Sequence, residues 1–154
     1  MQQEHVVQKV LAYIVREANG KLQLLVNTHK DYPEAGVQVP SGTWEQGETA
    51  EQALLREIHE ETGLARISIL GKVAEYTYFH APRGEYHQRH IFLAKVMGPT
   101  PDSWEHVDRS VTGGGSVVLN HFWTDLSPDL TLAVGHGDYL HTIEQFLQAR
   151  NEQV

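Results

Sequence analysis

Apolar residues recur along this chain with two different periods. From Lys9 to Glu17 ("KVLAYIVRE") and from Lys21 to His29 ("KLQLLVNTH") they form short aliphatic runs, parted by the turn sequence Ala18-Asn19-Gly20. Runs of that length around an Asn-Gly turn predict two half-buried strands joined as a hairpin. Val37 to Glu45 ("VQVPSGTWE") alternates at first, then breaks at Pro40 and Gly42. Two more β-rich runs, Ala65 to Phe79 and Tyr86 to Met97, flank the turn-prone "HAPRGE", and Ser116 to Leu126 predicts a last strand. Between Gly98 and Gly115 the composition shifts to Pro, Gly, Asp and Ser, which predicts a long loop of the kind used as a lid.

The helical period appears twice. Thr49 and Gln52 form a Thr-x-x-Gln capping box, and Gly63 suits the left-handed stop of the same helix. At 100° per residue, Ala50, Ala53 and Leu54 share the direction of Glu57, with Ile58 on the flank and Glu60 and Glu61 on either side. The face that is apolar in the first half of this helix is therefore lined by carboxylates in the second. A C-terminal helix is predicted near Asp138 to Asn151, where Tyr139, Leu140, Ile143, Phe146 and Leu147 recur at helical spacing.

Composition narrows the possibilities. At 154 residues and 40% hydrophobic content, the expectation is one globular domain over residues 1–154. Apolar runs of about half a dozen residues are far short of a membrane span, and "MQQEHVV" lacks the features of a signal peptide, so a cytoplasmic protein with no membrane partner is expected. With no cysteine, carboxylates and the ten histidines are the strong metal ligands available. A net charge of −8 argues against a grip on long nucleic acid, which Lys and Arg clusters carry.

The acidic helix end is costly. The like-charged pair Glu57 and Glu61 costs about 0.2 to 0.5 kcal/mol on an exposed helix, and the negative end of the helix dipole adds about 0.3 to 1 kcal/mol. Partial burial of an unpaired carboxylate costs several-fold more, roughly several kcal/mol. Arg56 offsets part of one charge; a divalent cation would offset the rest, and all-oxygen ligands suit Mg²⁺ or Mn²⁺. Taken alone, "EIHEE" reads more simply as a solvated face. The wider context changes that reading. From Gly42 to Leu64 the chain runs Gly42, five residues, Glu48, seven residues, Arg56-Glu57-Ile58, one residue, Glu60-Glu61, one residue, Gly63-Leu64. This resembles the signature of the Nudix hydrolase superfamily, with every specified position filled, and the strand order around it resembles that superfamily's α/β/α sandwich with a mixed central sheet.

The resemblance implies a Mg²⁺-dependent (or Mn²⁺-dependent) hydrolase that cuts the diphosphate linkage of a nucleoside diphosphate joined to another moiety, a small-molecule nucleotide substrate. It implies Glu57, Glu60 and Glu61 as metal ligands, with the Gly42 carbonyl as a further one, and a Glu48–Arg56 pair that braces loop against helix. The base that takes a proton from water is open: Glu57 or Glu60 within the box, or Glu105, His106 or Asp108 in the downstream loop, with Glu85 another candidate. The family's homodimers make a homodimer an expectation. The rival reading is a catalytically silent Nudix module that binds a nucleotide as a sensor. A second rival, an isopentenyl-diphosphate isomerase, lacks the cysteine expected near its site. Sequence markers for ADP-ribose, dinucleoside polyphosphate and coenzyme A hydrolases are not met; Phe79 stands where the first would place proline.

Other residues carry weaker signals. Arg83 and Arg89 are candidate substrate-phosphate ligands, and Lys30 a third, with surface solvation the default for each. His80, His87 and His90 look like a zinc set, but positions 87 and 90 point to opposite faces of a strand. "TGGGS" (Thr112 to Ser116) lacks the Lys-Ser/Thr of a phosphate-binding loop and reads as a hinge. Trp44, Tyr76, Tyr78 and Trp104 are available to stack on a base, though strand aromatics more often serve the core.

Overall fold

The computed structural model describes residues 5–111 and 113–154. The predicted hairpin forms from β1 (Val6–Ala18) and β2 (Lys21–His29), with Asn19 and Gly20 both at positive φ in its turn. β3 (Ser41–Thr43), β4 (Ile67–His80), β5 (Glu85–Val96), β6 (Ser103–Asp108) and β7 (Val117–Asp125) complete a seven-stranded sheet of order β4-β5-β1-β2-β7-β6, with β3 paired to β1. β1 and β5 run parallel and the other pairs are antiparallel, so the sheet is mixed.

β1 shows why two layers of helix are needed. Val10 to Val15 are all fully buried, and alternate residues enter opposite layers. Val10, Ala12 and Ile14 pack with Ala53, Leu54 and Ile58 of α1 (Ala50–Thr62). Leu11, Tyr13 and Val15 pack with Ile143, Phe146 and Leu147 of α2 (Thr142–Arg150) on the other face. The result is the expected α/β/α sandwich. No helix among the described residues is long and apolar enough to cross a membrane.

Two expectations are corrected. The stretch from Gly98 to Gly115 is not a single long loop: Ser103–Asp108 is an edge strand paired antiparallel to β7. Its sequence, "SWEHVD", alternates partly buried with exposed positions but carries charge on both faces, so no apolar stripe announces it. Thr112 of the glycine stretch lies outside the described residues; Gly113, Gly114 and Gly115 are exposed. The C-terminal helix starts at Thr142 rather than near Asp138, because turns occupy the residues between Gly135 and His141. Of Val37 to Glu45, only Ser41–Thr43 is strand, and Gln38 makes an isolated bridge to Asn27.

The sheet forks at its centre. β1 pairs with β2 only from Val15 to Ala18, while Lys9 to Leu11 pair with β3. The chain around Pro40 and Gly42 enters that fork, and the residues after β7 close it: Ala133 N–H donates to Val37 O (2.8 Å) and Val39 N–H to His136 Nδ1 (3.1 Å).

Candidate functional site

Local chemistry fixes both ends of α1. Thr49 Oγ1 accepts from Gln52 N–H (3.1 Å), and Gln52 Oε1 accepts from Thr49 N–H (2.9 Å), closing the predicted capping box. Gly63 stops the helix at φ 79°, a conformation strained for residues with a Cβ. Two ring donors from distant strands hold the last turn: Trp104 Nε1–H donates to Thr62 O (2.9 Å) and His121 Nε2–H to Glu61 O (2.7 Å). Burial holds the His121 imidazole down to about 4, so the ring is neutral and acts as a single donor there. Both donors bring partial positive charge to the end of the helix where the carboxylates cluster.

Arg56 organises the opposite side. It meets Glu48 through two bonds, Nε to Oε2 (3.1 Å) and Nη2 to Oε1 (2.7 Å), and Nη2 also donates to Thr43 O (2.9 Å). The loop before the helix is thus tied to its middle. Glu48 is held below the ordinary carboxylate range by this guanidinium. Nη1 of Arg56 donates to Glu57 Oε1 (3.0 Å) and reaches Glu60 Oε2 at 3.4 Å. Glu61 turns the other way, accepting from Ser41 N–H at 2.9 Å. Drawn apart in this manner, the carboxylates do not converge: no group of three His, Asp or Glu side chains stands at metal-holding geometry among the described residues.

The charge at this helix end is nevertheless uncompensated. Burial pushes the Glu57 carboxyl up to about 7 against the pull of Arg56, with repulsion from Glu60 and Asp108 added. Glu61 is pushed well above the carboxylate range, first by burial and then by Glu57, with Asp108 contributing. Gly42 packs face on to the Glu57 carboxylate; a Cβ there would overlap its Cδ and both oxygens, far inside van der Waals contact. That close approach of a bare backbone to a half-buried carboxylate makes a cradle of oxygen atoms, and its donor chemistry fits Mg²⁺ or Mn²⁺.

These shifts set an expected pH dependence in metal-free protein. A folded-state carboxyl held near 7, against 4.5 unfolded, binds a proton that the unfolded chain has released, so Glu57 destabilises the fold progressively as pH rises from 4.5 through 7. The full cost is about 3 kcal/mol. His121 and His136, buried and neutral, pull the other way up to their ordinary value of 6.5. The diagnostic quantity is therefore the urea-unfolding free energy of Glu57→Gln minus that of the wild type in EDTA, which should increase between pH 5 and 8. A difference that stays flat with pH would show that Glu57 ionises normally.

The other sequence candidates divide cleanly. On β6, Trp104, His106 and Asp108 alternate with Glu105. Asp108 lies close enough to Glu57 and Glu61 to repel both, and its Oδ1 takes the N–H and Oγ–H of Ser110. Glu105 projects from the opposite face and pairs with Lys30 at 2.9 Å, which accounts for both residues. Glu85 bonds His87 Nε2 at 2.9 Å near the β4–β5 turn. His80 stacks on His87, while His90 lies on the other face with Lys72, Glu75 and Gln8, so the three histidines do not converge. Trp44 and Trp104 pack against the α1-side core.

Arg89 overturns the expectation of surface solvation: it is only 8% exposed. It and the exposed Arg83 line a cleft of about 610 Å³ that also takes in Ser41, Gly42, Tyr78, His136 and Lys9. Lys9, which the sequence did not single out, donates to Thr43 Oγ1 (2.8 Å) between the acidic and basic ends of that cleft. Only the pairing of β1 with β3 brings it there.

A family model described as the NUDIX domain matches residues 7–111, and the chain belongs to that family. Among solved structures it is similar to a C. elegans Ap4A hydrolase binary complex, with TM-score 0.68 and 23% identity over 93% of this chain and 98% of that one. The NUDIX domain of Shewanella oneidensis NrtR, complexed with ADP ribose, gives TM-score 0.65 and 16% identity over 94% and 90%. A MutT NUDIX hydrolase from Burkholderia pseudomallei gives TM-score 0.60 and 22% identity over 91% and 99%. At these identities the likeness is one of fold.

Proposed function

We propose that this chain is a divalent-metal-dependent hydrolase of the diphosphate linkage in a nucleoside diphosphate joined to another moiety, acting as one domain over residues 1–154. The observation that carries this reading is the crowding of half-buried carboxyls around Gly42: Glu57 and Glu61 are both raised, so their ionised forms are unfavourable without a cation, and the guanidinium beside Glu57 is shared with Glu48. Glu57, Glu60, Glu61 and the Gly42 carbonyl would hold Mg²⁺ or Mn²⁺, which supplies charge neutralisation on the phosphate oxygens and a more acidic bound water. Arg56 and Glu48 keep the loop registered on the helix.

In the reaction, water oxygen attacks a phosphorus, the anhydride P–O bond breaks, and the water proton passes to a carboxylate. The structure favours Asp108 over Glu105 for that last role. Asp108 is on the side of β6 that faces the box, and Ser110 holds its Oδ1, while among the described residues no hydrogen bond engages Oδ2, the oxygen that would accept the proton. A silent sensor module that binds a nucleotide without cutting it is the alternative. An assay of phosphate release over a panel of nucleoside diphosphate derivatives, with Mg²⁺ and with EDTA, separates the two. The hydrolase reading expects metal-dependent turnover of at least one compound; binding without turnover throughout the panel establishes the sensor.

A further inference from the structure

Arg89 is buried, yet no carboxylate forms an ion pair with it among the described residues. Its partners are neutral: Nη1 donates to Tyr76 Oη (2.7 Å) and Val134 O (3.3 Å), and Nη2 donates to Tyr78 Oη (3.0 Å), over whose ring the guanidinium lies at 4.7 Å. Asp138 comes near, its Oδ2 and Arg89 Nη1 lying 3.3 and 3.6 Å from the same Cβ position at Gly135, but it makes no ion pair or hydrogen bond with the guanidinium. A buried cation that no carboxylate touches is left costly, and an anionic ligand in contact with it would offset that cost.

Two neighbours strengthen the site. His136 is 2% exposed and accepts Val39 N–H at Nδ1, which leaves Nε2–H as the donor of the neutral ring on the same cleft wall. Val134, whose carbonyl steadies Arg89, is 63% exposed at φ 50°. A β-branched residue in the left-handed region is strained, and such strain persists where surrounding structure enforces it. Here the enforced feature is the cleft lip. The cleft is therefore basic along its wall, with Arg89, Lys9 and Arg83, and it reaches the acidic cluster only at Gly42, against which the Glu57 carboxylate packs.

We infer that Arg89 and His136 bind a second anionic group of the substrate, a phosphate or carboxylate beyond the diphosphate that is cut. The substrate class is then a nucleotide charged at both ends of the cleft, such as a polyphosphate or a nucleotide-linked sugar acid. This assignment rests on the hydrolase reading for the word substrate, but the anion site itself is testable without turnover.

Titration calorimetry on the full chain in EDTA, with inorganic pyrophosphate and separately with glucuronate, tests the site and tells phosphate from carboxylate. Saturable one-to-one binding of either anion is expected, weakened about tenfold or more in Arg89→Gln, the loss of a charge-assisted pair. Should Arg89→Gln fail to fold, His136→Asn carries the test, since its amide oxygen still accepts from Val39 N–H while the Nε2–H donor is gone; a severalfold loss is expected. No saturable binding of either anion, or affinities unchanged in the folded variants, overturns the inference. A second arm compares kcat/KM for a nucleoside tetraphosphate and a nucleoside diphosphate-glucose with Mg²⁺; their ratio should fall about tenfold in Arg89→Gln. Arg89-dependent binding with no turnover of any nucleotide refutes the hydrolase and leaves the anion site standing. Turnover with a ratio indifferent to Arg89 refutes the second-anion assignment alone.

Discussion

Asp108→Asn should slow turnover about 100-fold or more at saturating substrate, the usual range for removing a general base. Asparagine preserves the size of the side chain and an oxygen for Ser110, so the β6 edge and the fold should survive. Glu105→Gln should stay within about twofold, because that carboxylate is spent on Lys30 across the opposite face of the strand. Steady-state kinetics on the two variants side by side make the comparison. Equal effects would remove Asp108 from the mechanism, and a larger effect at Glu105 would reverse the choice drawn from the strand's alternation.

The second large effect is expected at Gly42. Alanine there would place its Cβ within the volume of the Glu57 carboxylate. Glu57 is held by Arg56, so making room for that Cβ means breaking this bond or pushing the loop outward. Overpacking of this kind costs about 1 to 3 kcal/mol of stability. The loss in turnover should be larger, about 100-fold, since a displacement of about 1 Å at a reacting centre has that effect. Kinetics and thermal unfolding of Gly42→Ala measure both. Near-normal turnover in a folded Gly42→Ala protein would show that Glu57 does its work from some other position. The deficit should also resemble that of Glu57→Gln and should not add to it in the double variant, because both substitutions disable one contact.

The two substitutions probe different layers of information. Gly42 and Glu57 are fifteen residues apart in one uninterrupted stretch, and their relation follows from a local loop and one helix. Asp108 comes from an edge strand whose existence depends on pairing with β7. Its role could be offered from sequence only as one of several acidic candidates in a loop.

By itself the sequence determined what short-range physics controls. The Asn-Gly hairpin, the Thr49–Gln52 capping box, the Gly63 stop and the Glu48–Arg56 brace all depend on residues within a few turns of one another, and all four are present. The apolar stripe of α1 likewise fixed which face of that helix meets the sheet, whereas β1, expected to be half-buried, is buried on both faces because α2 and the segment before it cover the other side.

Tertiary structure alone decided the rest. Burial of Arg89 could not be read from its polar type, because the tyrosines and the Val134 carbonyl that shelter it come from β4 and from a segment 45 residues further on. Trp104 and His121 hold the end of α1 only because β6 and β7 fold back beside it. Charge patterns along a chain show how much negative charge must be accommodated; where the compensating groups lie depends on which strands become neighbours, and that is set by long-range pairing rather than by local preference.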